Sequence, residues 1–162
     1  MHTVLRRYAA LALLSLMLAA TAQAAGRAEV SWVEPERFVD IGRNGVDRDR
    51  TLRTLGEHIA KLAGQLPDGQ VLKLQVTDVD LAGEVEPLSW NQLRILRGRA
   101  DWPQMSLRFS LAGSDGRVLD SGEARLSDMA YLMRTRDGDL GYEKRMLDDW
   151  FKARFGAQAQ AH

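Results

Sequence analysis

The chain has 162 residues, with 22 basic and 22 acidic side chains, 45% hydrophobic residues and no cysteine. Balanced charge sets up no overall field to steer nucleic acid or an anionic membrane toward the protein. Without cysteine there is no disulfide staple and no thiolate for catalysis or zinc, so stability rests on burial.

Two positive charges, Arg6 and Arg7, precede an apolar stretch from Tyr8 to Ala20 that carries no charge. Thr21-Ala22-Gln23-Ala24-Ala25 follows, with small residues at Ala22 and Ala24. Basic, apolar, then small-x-small is the order of a secretory signal peptide. A membrane span takes roughly 20 apolar residues, and this run is shorter. We therefore expect residues 1–24 to be a signal peptide cleaved after Ala24. No cysteine follows to carry a lipid, so the expectation is a periplasmic protein with no membrane span after cleavage. Loss of Arg6 and Arg7 leaves 20 basic groups against 22 acidic ones. A chain of this size buries about two-thirds of its unfolded surface, enough for one core, so residues 25–162 read as one domain.

Val30 to Val33, ended by Glu34-Pro35, reads as a first strand. Phe38 to Asp49 is polar and glycine-bearing and reads as a loop, with Asp47 or Asp49 as a helix cap. Leu52, Leu55, Ile59, Leu62, Ala63 and Leu66 recur at helical spacing until Pro67-Asp68-Gly69 turns the chain. Val71 to Leu81 switches to period two, with Leu72, Leu74 and Val76 opposite Lys73, Gln75 and Thr77. Asp78 breaks that phase, so either the strand leaves the core at Thr77 or a bulge re-aims it. Between Leu88 and Trp102 the pattern fits either an edge strand, through Leu93 and Ile95, or a helical turn, through Trp90, Leu93 and Leu96.

Met105, Leu107, Phe109 and Leu111 alternate with polar residues and lead to Asp115-Gly116, a hairpin turn. The return strand, Val118 to Leu126, sets Gly122 and Ala124 on the face of Val118 and Leu126, small enough for a helix to sit close. Ser127 reads as a helix cap before Asp128. Tyr142, Met146, Leu147, Trp150, Phe151 and Phe155 form the apolar stripe of a closing helix. The tail from about residue 157 is small and polar and is expected to fray. The hairpin favours antiparallel pairing, and two amphipathic helices can cover one face of a sheet. The expected fold is an α+β two-layer sandwich: a mainly antiparallel sheet of three to five strands with two helices on one face.

The segments SWVEPERFVDIGR, VTDVDLAGEVEP, SGEARLSDMAYLMR and YEKRMLDDWFKARFG resemble a bacterial family catalogued as domain of unknown function 3016. The resemblance runs from about Glu29 to Gly156. It implies an exported bacterial protein and brings no catalytic residues to assign.

Catalytic groups are scarce in the chain itself. Beyond the leader, the imidazoles are His58, read as a surface helix residue, and the terminal His162. Ser121, in Asp120-Ser121-Gly122, lacks the strand-to-helix elbow of a serine nucleophile. Gly42-Arg43-Asn44-Gly45 lacks the glycine spacing and lysine of a phosphate loop. We assign no catalytic residue and no cofactor.

Two candidate sites remain. Asp78, Asp80, Glu84 and Glu86 place four carboxylates close together, in pairs two apart that share a strand face. Such groups repel unless water or a hard cation such as calcium screens them. Read as a calcium loop from Asp78, the segment has Gly83 where the sharp turn belongs. Ser89 stands where the bidentate glutamate belongs, so an irregular cation site, serving a binding protein or a hydrolase, is the alternative reading. The favoured candidate is an interaction surface of Trp90, Arg94, Arg97, Arg99 and Trp102, a composition typical of protein contact hot spots. The expected function is a non-enzymatic periplasmic module that binds an envelope protein or another envelope component.

Overall fold

The computed structural model describes residues 25–42, 44–86, 93–134 and 138–159. The predicted leader, Trp90 and the chain end from residue 160 lie outside the described residues. The strands are β1 (Arg27–Trp32), β2 (Val71–Asp80), β3 (Glu84–Val85), β4 (Arg94–Ile95), β5 (Gln104–Ala112) and β6 (Val118–Ser127). The helices are α1 (Gly45–Ala63) and α2 (Gly141–Ala159). One sheet has the order β1-β2-β5-β6, and β3 pairs with β4 in a separate two-stranded ribbon.

β1 and β2 are parallel because α1 carries the chain back between them, whereas β2–β5 and β5–β6 are antiparallel. Leu72, Leu74 and Val76 on β2 and Met105, Leu107 and Leu111 on β5 are almost fully buried. Leu55, Ile59, Leu147, Phe151 and Phe155 of the two helices join the same core. The opposite face carries Lys73, Arg108 and Glu123 and is open. Both helices therefore cover one side of an α+β sandwich, as alternation and helical spacing predict.

Gly122 lies opposite Phe109, and a Cβ on it would come within 3.3 Å of the Phe109 ring. That gap lets the ring reach Trp150 and Phe155 of α2, with centroids 5.7 and 5.9 Å away in edge-on geometry. The expected role of the small residues on β6 is thus realised through an intervening aromatic ring.

Several boundaries depart from the sequence reading. β1 starts at Arg27, three residues before Val30, because a parallel partner on β2 extends the ladder. α1 begins at Gly45, inside the predicted loop, and its cap is Asn44, whose side chain accepts the Asp47 amide at 3.0 Å. Ser127 ends β6 and caps no helix; the Asp128 carboxylate instead accepts the Ala130 amide at 3.1 Å and closes a turn. A register shift opposite Leu111 and Ala112 leaves Leu119 unpaired and swings Val118 off the core face, where it is exposed. α2 continues through Ala159, beyond the predicted fraying point, on good helix formers.

Candidate binding site

A bulge at Thr77 separates the pairs Val76–Leu107 and Asp78–Ser106. It shifts the side-chain phase by one, so Val79 enters the core while Asp78 and Asp80 turn away from it. The phase break at Asp78 in the sequence is this bulge. Beside it, Asp40 bridges to Asp80 as a parallel partner, with its amide on the Val79 carbonyl at 3.1 Å. The Val39 amide donates to the Asp78 carboxylate at 3.0 Å.

Three aspartates thus meet at the carboxyl end of β2, and Arg94 of the β3–β4 ribbon reaches into them. Its guanidinium grips the Asp40 carboxylate at 2.8 and 3.0 Å and also donates to the Gly83 carbonyl at 2.7 Å. Burial pushes the Asp80 carboxyl above its usual range, the charges of Asp40 and Asp78 add to this, and Arg94 opposes it. Gly83 is in the left-handed region at φ 80, and a Cβ there would sit 2.7 Å from the Ile95 carbonyl oxygen. Only glycine lets the ribbon close on itself there.

The four carboxylates singled out from the sequence are therefore divided. Asp78 and Asp80 join Asp40, Glu86 pairs with Arg97 at 3.0 Å, and Glu84 is exposed. Among the described residues, no group of three histidine, aspartate or glutamate side chains is arranged to hold a metal ion. Asp40 is the member that sequence reasoning missed, because its approach depends on a pairing 40 residues along the chain.

The arginine/tryptophan segment is divided as well. The Arg94 side chain is only about one-quarter exposed and acts as a clamp between ribbon and sheet. Trp102 packs on the second apolar cluster, formed by Ala82, Tyr131 and Tyr142, and fills core. β4 settles residues 94 and 95 as strand, the edge-strand alternative. Beyond it, buried Asp101 organises the loop by accepting the amides of Arg97 at 2.6 Å and Arg99 at 2.8 Å. Burial pushes the Asp101 carboxyl up, but those amides and the Tyr131 hydroxyl outweigh it and hold it below the usual range. The Tyr131 hydroxyl in turn accepts the Gly98 amide at 3.2 Å, and its buried ring meets Tyr142 edge-on at 4.9 Å.

This anchoring holds an outward surface. Leu93 (57% exposed), Ile95, Leu132 and Met133 (89% exposed) point to solvent in the ribbon and the turn Tyr131–Met133. A Cβ on Gly98 would meet the Leu132 side chain at 2.6 Å, so the turn lies directly against the arginine loop. Arg97 and Arg99 are exposed within that loop. Apolar side chains and arginines on a rigid backing form a surface suited to a protein contact.

On the other side of the ribbon lies a cleft of about 350 Å³, at the carboxyl ends of the parallel strands. Asp47 and Arg50 of α1, Arg94 and Leu96 of the ribbon segment, and Tyr142 and Glu143 of α2 line it. Leu140, left-handed at φ 52, turns the chain into α2 at its rim. Buried Glu143 accepts the Ala82 amide at 2.8 Å, which ties α2 to the end of β2. The lining mixes both signs of charge and favours neither.

His58, expected at the surface, is mostly covered and ties the helices together, with Nε2 2.6 Å from the Asp148 carboxylate. None of the curated proteins compared with this chain matches it. A family model does match, over residues 26–153, which include every strand and all but the end of α2. The chain belongs to the family described as protein of unknown function (DUF3016).

Proposed function

We propose that this chain is an exported, non-enzymatic binding module that holds another envelope protein, or a component of the envelope, on the face built by residues 93–99 and 131–133. The observation that carries the reading is the exposure of Leu93, Ile95, Leu132 and Met133 beside Arg97 and Arg99, on a backing fixed by Asp101 and Tyr131. Neighbouring exposed apolar side chains rimmed by charge mark interaction sites, and arginine is among the residues that dominate interface energetics. Export is supported by the basic, apolar and small-residue order of residues 1–24, and by a family match that starts at residue 26. No helix among the described residues is long and apolar enough to cross a membrane. A binding role is further supported by the scarcity of groups able to do nucleophilic chemistry in the sequence, which has no cysteine and, beyond the leader, only His58 and His162 as imidazoles.

Arg94 belongs to the framework, so the surface is tested through its neighbours. The double variant Arg97→Gln/Arg99→Glu keeps a melt within about 1 kcal/mol of wild type, because both side chains are exposed and the one ion pair lost, Arg97–Glu86, lies at the surface, yet it loses its envelope partner in affinity purification of the tagged protein. Retention of the same partner at the same yield contradicts the choice of surface. Amino-terminal sequencing of the protein recovered from the periplasm is expected to read from Ala25; an intact leader in the cytoplasmic fraction defeats the export reading.

A further inference from the structure

We propose that β6 is a homodimerisation edge, on which a second copy of this chain adds its own β6 antiparallel in one register centred on Ala124. β6 is a terminal strand of the sheet and has ten residues, nearly all of them exposed or half-exposed. Among the described residues its outer row of amides and carbonyls has no ladder partner, which makes it a template for another strand. The strand contains no proline and no lysine, and the bulge at Leu119 lies near one end, clear of residues 121–127. Its one charge on the core side, Asp120, is sealed by Arg154 at 2.6 and 2.7 Å. That arginine lies 5.1 Å from the centre of the Phe109 ring.

Charge selects both the occupant and the register. In an antiparallel pair related by a two-fold axis, directly opposed residues share a face, so the axis must pass through a residue. An axis through Glu123 sets the two glutamates against each other. An axis through Gly122 drives the pairing across the bulge at Leu119. With the axis through Ala124, Glu123 of each copy faces Arg125 of the other, on the open face where both are exposed. In the monomer Glu123 is held by Arg108 at 2.8 Å across the β5–β6 ladder, so the dimer completes an alternating Arg–Glu–Arg row over two copies. On the core face, Ala124 meets Ala124, and Gly122 meets Leu126 of the partner copy. These small residues leave room for the two α2 helices beside the seam. The isologous seam closes at two copies, since each chain spends its β6 edge in forming it.

The test is the mass of the purified chain from Ala25 to His162 by light scattering during size exclusion. The wild type is expected at twice the monomer mass. Arg125→Glu sets two carboxylates against each other on both sides of the axis and weakens association at least about tenfold. The triple charge swap Arg108→Glu/Glu123→Arg/Arg125→Glu, which reverses the whole row and keeps the pair within each chain, restores the dimer and separates a lost contact from a damaged fold. Because the chain has no cysteine, an introduced one reports the register: Ala124→Cys cross-links to its own copy and Ser121→Cys does not. A monomeric wild type overturns the proposal, as does a dimer indifferent to Arg125→Glu, or one that cross-links through Ser121→Cys.

Discussion

Replacing Arg94 by methionine keeps a long apolar stem and removes the guanidinium that holds Asp40 and the Gly83 carbonyl. Charge-assisted hydrogen bonds contribute roughly 1.5–3 kcal/mol each, but three contacts of one guanidinium do not add. Removing one partner of a fully buried pair costs about 3–5 kcal/mol. Here the two side chains are 26% and 27% exposed, so water recovers part of that loss. The expected destabilisation is about 2 kcal/mol, or a fall of about 1 M in the urea midpoint at an ordinary slope for this size. Because Arg94 also opposes the upward shift of Asp80, its loss leaves three aspartates without their cation. The variant is therefore expected to lose more stability at pH 7 than at pH 4. In the double variant with Asp40→Asn, the total loss falls short of the sum of the single losses. A midpoint within 0.2 M of wild type (about 0.4 kcal/mol) at pH 7, or strictly additive losses, refutes the clamp.

Asp80→Asn removes a carboxyl that burial pushes upward. For such a group the native state binds the proton more tightly than the unfolded one. Its contribution to stability is thus fully present at low pH and lost as pH rises through the folded value. The amide variant should melt above wild type at pH 7, and the advantage should vanish below pH about 3.5; an unchanged difference across that range contradicts the cause given. Phe155→Ala empties a fully buried site packed against Phe109, Trp150 and Phe151, at a cost of about 4 kcal/mol in urea unfolding. A loss under about 1.5 kcal/mol would mean that α2 collapses into the gap or does not close the core. EDTA and added calcium are expected to leave the melt unchanged, because Glu86 is engaged by Arg97, Arg94 already neutralises the Asp40 carboxylate beside Asp78 and Asp80, and no three acidic side chains among the described residues are arranged to hold a metal ion; a calcium-dependent rise abolished by Asp80→Ala would restore the cation site.

Local physics made the layers readable from sequence. The apolar spacing from Leu52 to Leu66 and the stripe from Tyr142 to Phe155 identify two amphipathic helices, and the alternation in Val71–Val76 and Met105–Leu111 identifies paired strands. A bulge was one of two readings of the change of phase at Asp78, and the choice rested on how Ser106 pairs across the ladder. The clamp was not legible, because Asp40 and Arg94 lie 54 residues apart and meet only after the ribbon folds back. Trp102 illustrates the same limit: beside three arginines it reads as a surface anchor, but two buried tyrosines from later in the chain give it a place in the core. The exposed side chains of the Tyr131–Met133 turn are not legible as part of a surface, because their neighbour Gly98 comes from another segment. Arg97 and Arg99 are exposed, but the anchoring of their loop by Asp101 and Tyr131 is not visible in the segment's composition.

The binding role is tested most directly by a photoreactive amino acid placed at Ile95 or Leu132 in the chain expressed in its native envelope, with Ser110 on the open sheet face as control. A single recurrent adduct from the first two positions and none from Ser110, identified by mass spectrometry, is the expected result. Absence of any adduct from Ile95 and Leu132 in well-expressed, exported protein, or an equal adduct from Ser110, would contradict a partner on this face.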